Sequence, residues 1–155
     1  MICTGFGHRY LPDNLQTTLD QTILALIRSH NVNIFYTGGM GDFDREFAAA
    51  VCRARRTYPE VQLILVRPYP NKTMLFHQEV YDRLYTRVII PKAVAGLHYK
   101  AAIPARNRWM VEQADVVLSG VYKDSGGAYK TLCYAKQIGK PIVNVIKKEP
   151  KRELE

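Results

Sequence analysis

Two rhythms of apolar and polar residues alternate along the chain. Short apolar runs of strand length are separated by stretches in which apolar residues return every three or four positions. Residues 2–4 read as the first strand. Asp13 then stands where a cap starts a helix to about Ser29, with Leu15, Leu19, Ile23, Leu26 and Ile27 on one face. Residues 32–37 form the second strand, and residues 44–56 the second helix, with Phe47, Ala50, Val51 and Ala54 at helical spacing. The run 61–66 is apolar apart from Gln62, as a strand covered on both faces should be.

The second half continues the alternation. Residues 67–72 read as a loop, 73–84 as a helix, 87–91 as the fourth strand and 92–102 as irregular. A helix over 103–113 would hold Pro104 in its first turn, where a missing N–H matters little. Residues 116–119 make the fifth strand. Residues 127–138 make a helix stopped by Gly139, and 141–145 make the sixth strand. Strand and helix in strict alternation predict an α/β fold: one Rossmann-like domain over residues 1–146, a mainly parallel sheet of about six strands between two helical layers. Residues 147–155 read as a charged, solvated tail.

Composition narrows the class. The chain has 155 residues, 47% of them hydrophobic and 23% charged, which suits one globular domain with a sizeable core. No apolar stretch is long enough to span a membrane. Residues 1–4 already read as strand with no basic stretch ahead of them, so no signal peptide is expected. Cys3, Cys52 and Cys133 are widely spaced and form no metal-type pair. They are expected to be buried, reduced thiols of a cytoplasmic protein, and no metal is expected. The net charge of +8 favours anionic ligands without choosing among them.

The candidate chemistry lies in the loops that follow strands. Gly5-Phe6-Gly7-His8-Arg9 follows the first strand. Its glycines allow close approach, Arg9 offers a forked contact to phosphate or carboxylate, and His8 exchanges a proton near neutrality. Gly38, Gly39 and Gly41 follow the second strand, with Asp42 and Asp44 at a helix start and Glu46 close by. This turn is neither a Walker loop nor a GxGxxG fingerprint. Carboxylates there cap N–H groups, and one of them is available to a ligand hydroxyl or base. Arg106 and Arg108 are expected in the first turns of a helix, where the macrodipole disfavours cations unless an anion sits nearby. Gly126 and Gly127 open another helix, a ready anion site, and Tyr122 or Tyr129 could stack on a base or pack on the protein.

The order of these segments resembles the SLOG superfamily of Rossmann-like proteins, and within it the YpsA-like branch. The resemblance rests on Gly7-His8-Arg9, the run from Gly38 to Asp44, Arg106-Asn107-Arg108-Trp109, and Gly126-Gly127-Ala128. It covers roughly residues 2–145. It implies a site for a nucleotide or nucleotide-derived ligand, formed by Gly5, His8, Arg9, Gly38, Gly39, Gly41, Asp44, Arg106, Asn107, Gly126 and Gly127. Related LOG enzymes, which hydrolyse cytokinin nucleotides, carry Pro-Gly-Gly-x-Gly-Thr-x-x-Glu. Here the stretch from Ser125 to Cys133 lacks both the later glycine and the glutamate. Cleavage of an N-glycosidic bond calls for such a carboxylate, by analogy with glycosidases.

The leading expectation is therefore a sensor or binding protein for a phosphorylated small molecule such as a nucleotide sugar or ADP-ribose-like ligand. An N-glycosidic hydrolase or transferase is the alternative, with Asp44, Glu46 and His8 as catalytic candidates (and Asp42 beside them). Single-stranded nucleic-acid binding, implied through DprA-type relatives, ranks lowest because the basic residues are scattered. The resemblance also implies a homodimer or higher homo-oligomer.

Overall fold

Each apolar run forms a strand of one sheet, and the computed structural model describes residues 1–70 and 83–146 of it. The strands are β1 (Ile2–Gly7), β2 (Ile34–Thr37), β3 (Gln62–Val66), β4 (Arg87–Ile89), β5 (Val116–Gly120) and β6 (Ile142–Asn144). All five pairings are parallel, in the order β4-β3-β2-β1-β5-β6. The helices are α1 (Gln16–His30), α2 (Gly41–Arg55), α3 (Tyr99–Gln113) and α4 (Gly127–Gln137). The expected α/β class, single domain and six-stranded sheet are all present. The helix expected over 73–84 falls mostly outside the described residues, as does the tail 147–155.

Alternation along the strands divides the core in two. Cys3, Phe35, Leu63 and Leu118 face α1 and α2, which present Leu19, Ile23, Phe43, Phe47 and Val51. On the other face Phe6, Val117 and Val121 meet Val111 of α3 with Leu132 and Ala135 of α4, while Ile64 and Val66 meet Met110. Every residue of β5 is buried, as a central strand under two helical layers requires. The edge strands β4 and β6 have three residues each, which limits pairing with other chains.

Two aromatic rings seat α2 on the sheet. A Cβ added to Gly5 would lie 2.5 Å from the Phe47 ring. One added to Gly7 or Gly120 would lie 2.4 or 2.2 Å from Phe43. These glycines thus give α2 room to lie on β1 and β5, which brings its first turn to the carboxyl edge of the sheet. Gly120→Ala is expected to destabilise the protein by about 1–3 kcal/mol through overpacking. Urea denaturation would show this as a lower midpoint with an unchanged slope.

Several boundaries differ from expectation. β1 runs on through Gly5-Phe6-Gly7, because these residues pack in the sheet rather than loop out of it. Asp13 does not cap α1. The helix starts at Gln16, whose N–H is accepted by Asn14 Oδ1 at 2.8 Å. α3 begins four residues early, at Tyr99, behind His98, whose Nδ1 accepts the Lys100 N–H at 3.3 Å. Pro104 therefore lies inside the helix and not in its first turn. Gly139 ends α4 with φ +77°, as expected. Cys3 is buried, but Cys52 is half-buried and Cys133 is exposed on α4, against the expectation of three buried thiols. No described helix is long and apolar enough to cross a membrane.

Candidate functional site

After β4 the chain crosses over β1 to its other side and continues with β5 and β6. Strand order reverses at β1, and in open parallel sheets a crevice forms beyond the carboxyl ends at that point. A cavity of about 490 Å³ opens there, over Phe6 and Gly7. Such a volume suits a small organic ligand. His8, Arg9, Gly38, Asp44, Arg106, Asn107, Gly126 and Gly127 all line it, so eight of the expected site residues converge.

The wall after β1 holds His8 and Arg9. His8 Nε2 accepts the Lys123 N–H at 3.2 Å, and its ring meets Tyr122 edge-on at 4.8 Å. Burial first, and then the charge of Lys123, push its pKa below the ordinary 6.5, so the ring stays neutral and orders the loop after β5. Tyr122 donates to the Tyr10 carbonyl at 2.7 Å and ties the same two loops together. Arg9 is exposed, and its guanidinium makes no hydrogen bond or ion pair among the described residues. Its backbone is fixed by α2, because the Asp42 N–H donates to the Arg9 carbonyl at 2.8 Å. Gly41 (φ +87°) makes that approach possible, since a Cβ there would stand 2.6 Å from Arg9 Cα.

The opposite wall is built around a buried arginine. Arg106 is 3% exposed. Its Nη1 donates to the carbonyls of Val66 (2.8 Å) and Gly38 (3.3 Å), its Nε donates to Asn107 Oδ1 (2.8 Å), and its Nη2 rests 3.7 Å from Met40 Sδ. Burial lowers its pKa to about 10, with Asp44 opposing the shift, so it remains charged at neutral pH. The expectation of a cation in a first helical turn fails, since Arg106 is two turns into α3. Its charge is held there by carbonyls at the ends of β2 and β3. Arg108 is exposed.

Asp44 sits beside this arginine without a direct ion pair and is 7% exposed. Its Oδ2 accepts the Met40 N–H at 2.8 Å, which satisfies one donor at the start of α2. Its buried Oδ1 has no hydrogen-bond partner among the described residues. Burial raises its pKa to about 7 against the opposing Met40 hydrogen bond and Arg106 charge. At the far end of the cavity, Gly126 (φ +91°) is the N-cap residue of α4 and has no side chain with which to cap it. Backbone N–H groups of its first turn therefore face the cavity beside Ser125 and Lys123.

Four expected residues lie elsewhere. Gly5 faces Phe47 in the core, and Gly39 and Gly41 border a smaller hollow with Asp44, Arg45 and Tyr85. Glu46 faces a separate hollow with Asp13 and Asp42. Asp42 itself pairs with Arg45 at 2.9 Å and accepts the Leu11 N–H at 3.3 Å. The candidate carboxylates are thus divided, with only Asp44 in the main cavity. Lining residues not foreseen include Met40, Ile103, Met110 and Lys123. Ile103, Arg106, Asn107 and Met110 follow helical spacing, so a correctly phased α3 would have revealed that face.

No protein-family model matches the chain, and no curated protein matches it in sequence. In fold it is similar to DNA processing protein A from Helicobacter pylori, a structure that revealed that protein's single-stranded DNA binding mode. The TM-score is 0.62 at 16% identity, over 93% of this chain and 64% of that one. It is likewise similar to DNA processing protein A (DprA) from Streptococcus pneumoniae, with a TM-score of 0.64 at 18% identity over 92% and 49%. The chain thus spans about half to two thirds of these proteins. Identities this low show a shared Rossmann-like fold, and a fold of this kind hosts many functions.

Proposed function

We propose that the protein binds a nucleotide or nucleotide-derived ligand, such as a nucleotide sugar or an ADP-ribose-like molecule, as a sensor or binding protein. We place it with the YpsA-like branch of the SLOG superfamily. One observation carries this reading. The cavity at the strand-order reversal sets Arg9, whose guanidinium has no partner among the described residues, and the glycine-led start of α4 around a space of ligand size. Both features suit a phosphate. A homodimer that completes the open side of the crevice belongs to the same proposal.

A thermal-shift screen of nucleoside mono- and diphosphates, nucleotide sugars and ADP-ribose tests it. Ligand at 100 times its Kd adds about 2.7 kcal/mol to stability, which raises Tm by several degrees. Arg9→Ala is expected to leave the ligand-free Tm unchanged and to weaken binding about tenfold. A screen in which no phosphorylated nucleoside moves Tm would sink the reading.

Two observations favour other readings. The buried carboxyl of Asp44, with its pKa of about 7, suits a proton-transfer role at an N-glycosidic bond. Release of free base from nucleoside monophosphates or NAD, lost in Asp44→Ala, would support it. The fold likeness to a single-stranded DNA-binding protein favours oligonucleotide binding, for which steeply salt-dependent affinity is the signature.

A further inference from the structure

We propose that Asp44 recognises a sugar hydroxyl, so that the site takes a mononucleotide-like ligand with free ribose hydroxyls rather than an internal residue of a polynucleotide strand. This rests on the nucleotide-binding reading above. The starting point is Asp44 Oδ1, a buried acceptor with no donor among the described residues, on a side chain that lines the cavity. Buried polar atoms almost always have partners, so an orphaned one calls for an explanation. Arg106 does not supply the missing donor: four of its five N–H groups go to Gly38, Val66, Asn107 and Met40, and none reaches Oδ1. A carboxylate accepts, and the ligand group it lacks is a donor.

Geometry selects a hydroxyl over a base amino group. Asp44 follows β2, the start of α4 follows β5, and these strands flank β1 on either side. Both border one cavity of about 490 Å³, which is roughly 10 Å across if compact. In a nucleotide with its phosphate on α4, the sugar hydroxyls come next and the base amino groups lie a further ring away. With a hydrogen bond at each end, the shorter reach matches the span. Above about pH 7, where Asp44 is ionised, its charge also repels a second phosphate, which fixes the ligand's direction and disfavours a continuing strand. Oδ1 is itself buried, and Met40, which lines the cavity with Asp44, is an unbranched side chain in weak 3.7 Å contact with Arg106. Met40 turns aside as the hydroxyl enters.

Isothermal titration of the full chain at pH 8, where Asp44 is ionised, with the four ribonucleoside 5′-monophosphates and their 2′,3′-dideoxy counterparts tests this. At least one ribonucleotide is expected to bind about tenfold or more tightly than its dideoxy form. In Asp44→Asn, the amide oxygen keeps the Met40 N–H and the charged acceptor is lost. The preference is expected to collapse to within about threefold, with folding verified by thermal melting. Equal affinity of both forms for the wild type would overturn the inference and leave nucleotide binding standing. A preference that survives in Asp44→Asn would overturn the assignment to Asp44. Failure of all of these monophosphates to bind would overturn the inference, while the nucleotide-binding reading falls only with the wider thermal-shift screen.

Discussion

Replacing Arg106 with alanine is expected to destabilise the protein by about 3–5 kcal/mol, whatever its effect on ligands. The side chain is 3% exposed, and one of its nitrogens holds two carbonyls that end neighbouring strands, at Gly38 and Val66. Alanine would leave both carbonyls without this donor and remove a cation whose charge favours the ionised form of Asp44. A cavity would replace the guanidinium. For a chain of this size the loss corresponds to a Tm drop of roughly 6–20 °C, readable by calorimetry. Arg106→Lys is expected to recover little, because a single ammonium cannot reproduce the fork. A fall in ligand affinity on mutating Arg106 therefore reports folding as much as recognition. Arg9, exposed and without a partner among the described residues, is the cation whose removal isolates binding.

Asp44→Asn is expected to act in the opposite direction and stabilise the ligand-free protein at pH 8. Folded Asp44 keeps its proton up to about pH 7, whereas the unfolded chain releases it near the ordinary 3.8. Between these values folding takes up a proton, so stability falls as pH rises through the window and the full penalty applies above it. Asparagine carries no charge and can still accept the Met40 N–H. Because the upward shift already includes the attraction of Arg106, neutralising the group is a net gain, on the order of 1–3 kcal/mol at pH 8. The gain should shrink at pH 5 and vanish below about pH 4. Thermal melts of the two proteins across this range would show it. A variant no more stable than the wild type at pH 8 would mean that the carboxylate is better compensated than its surroundings imply. A wild-type residue that weakens the empty fold is characteristic of a functional position.

The strands were legible because parallel strands under two helical layers are apolar almost throughout, as the run from Leu63 to Val66 illustrates. Helix starts were less legible. Pro104 is a strong punctuation mark, and it drew the expected start of α3 four residues too far along the chain. That shift placed Arg106 at a helix N-terminus and suggested an anion, whereas the chain uses the arginine to join β2 and β3 internally. The glycines misled in a related way. Gly5 and Gly126 look alike in sequence, yet one makes room for Phe47 and the other opens a helix beside the cavity. The difference depends on which side chains approach from α2, a long-range fact that local pattern does not carry. Asp44 was foreseen as one of three neighbouring carboxylates. Its separation from Asp42 and Glu46 follows from helical phase, which turns one of them inward and the others out.

The contact of Phe43 with Gly7 and Gly120 also bears on how such a site can change over time. Three positions far apart in the chain act as one lock, so none can be enlarged alone without lifting α2. Lifting α2 would move Arg9 as well, because the Arg9 backbone is tied to the first turn of that helix through Asp42 and Gly41. Loops around the cavity can therefore diversify and alter what is bound, while the seat of α2 can drift only by paired exchanges that trade bulk between ring and strand.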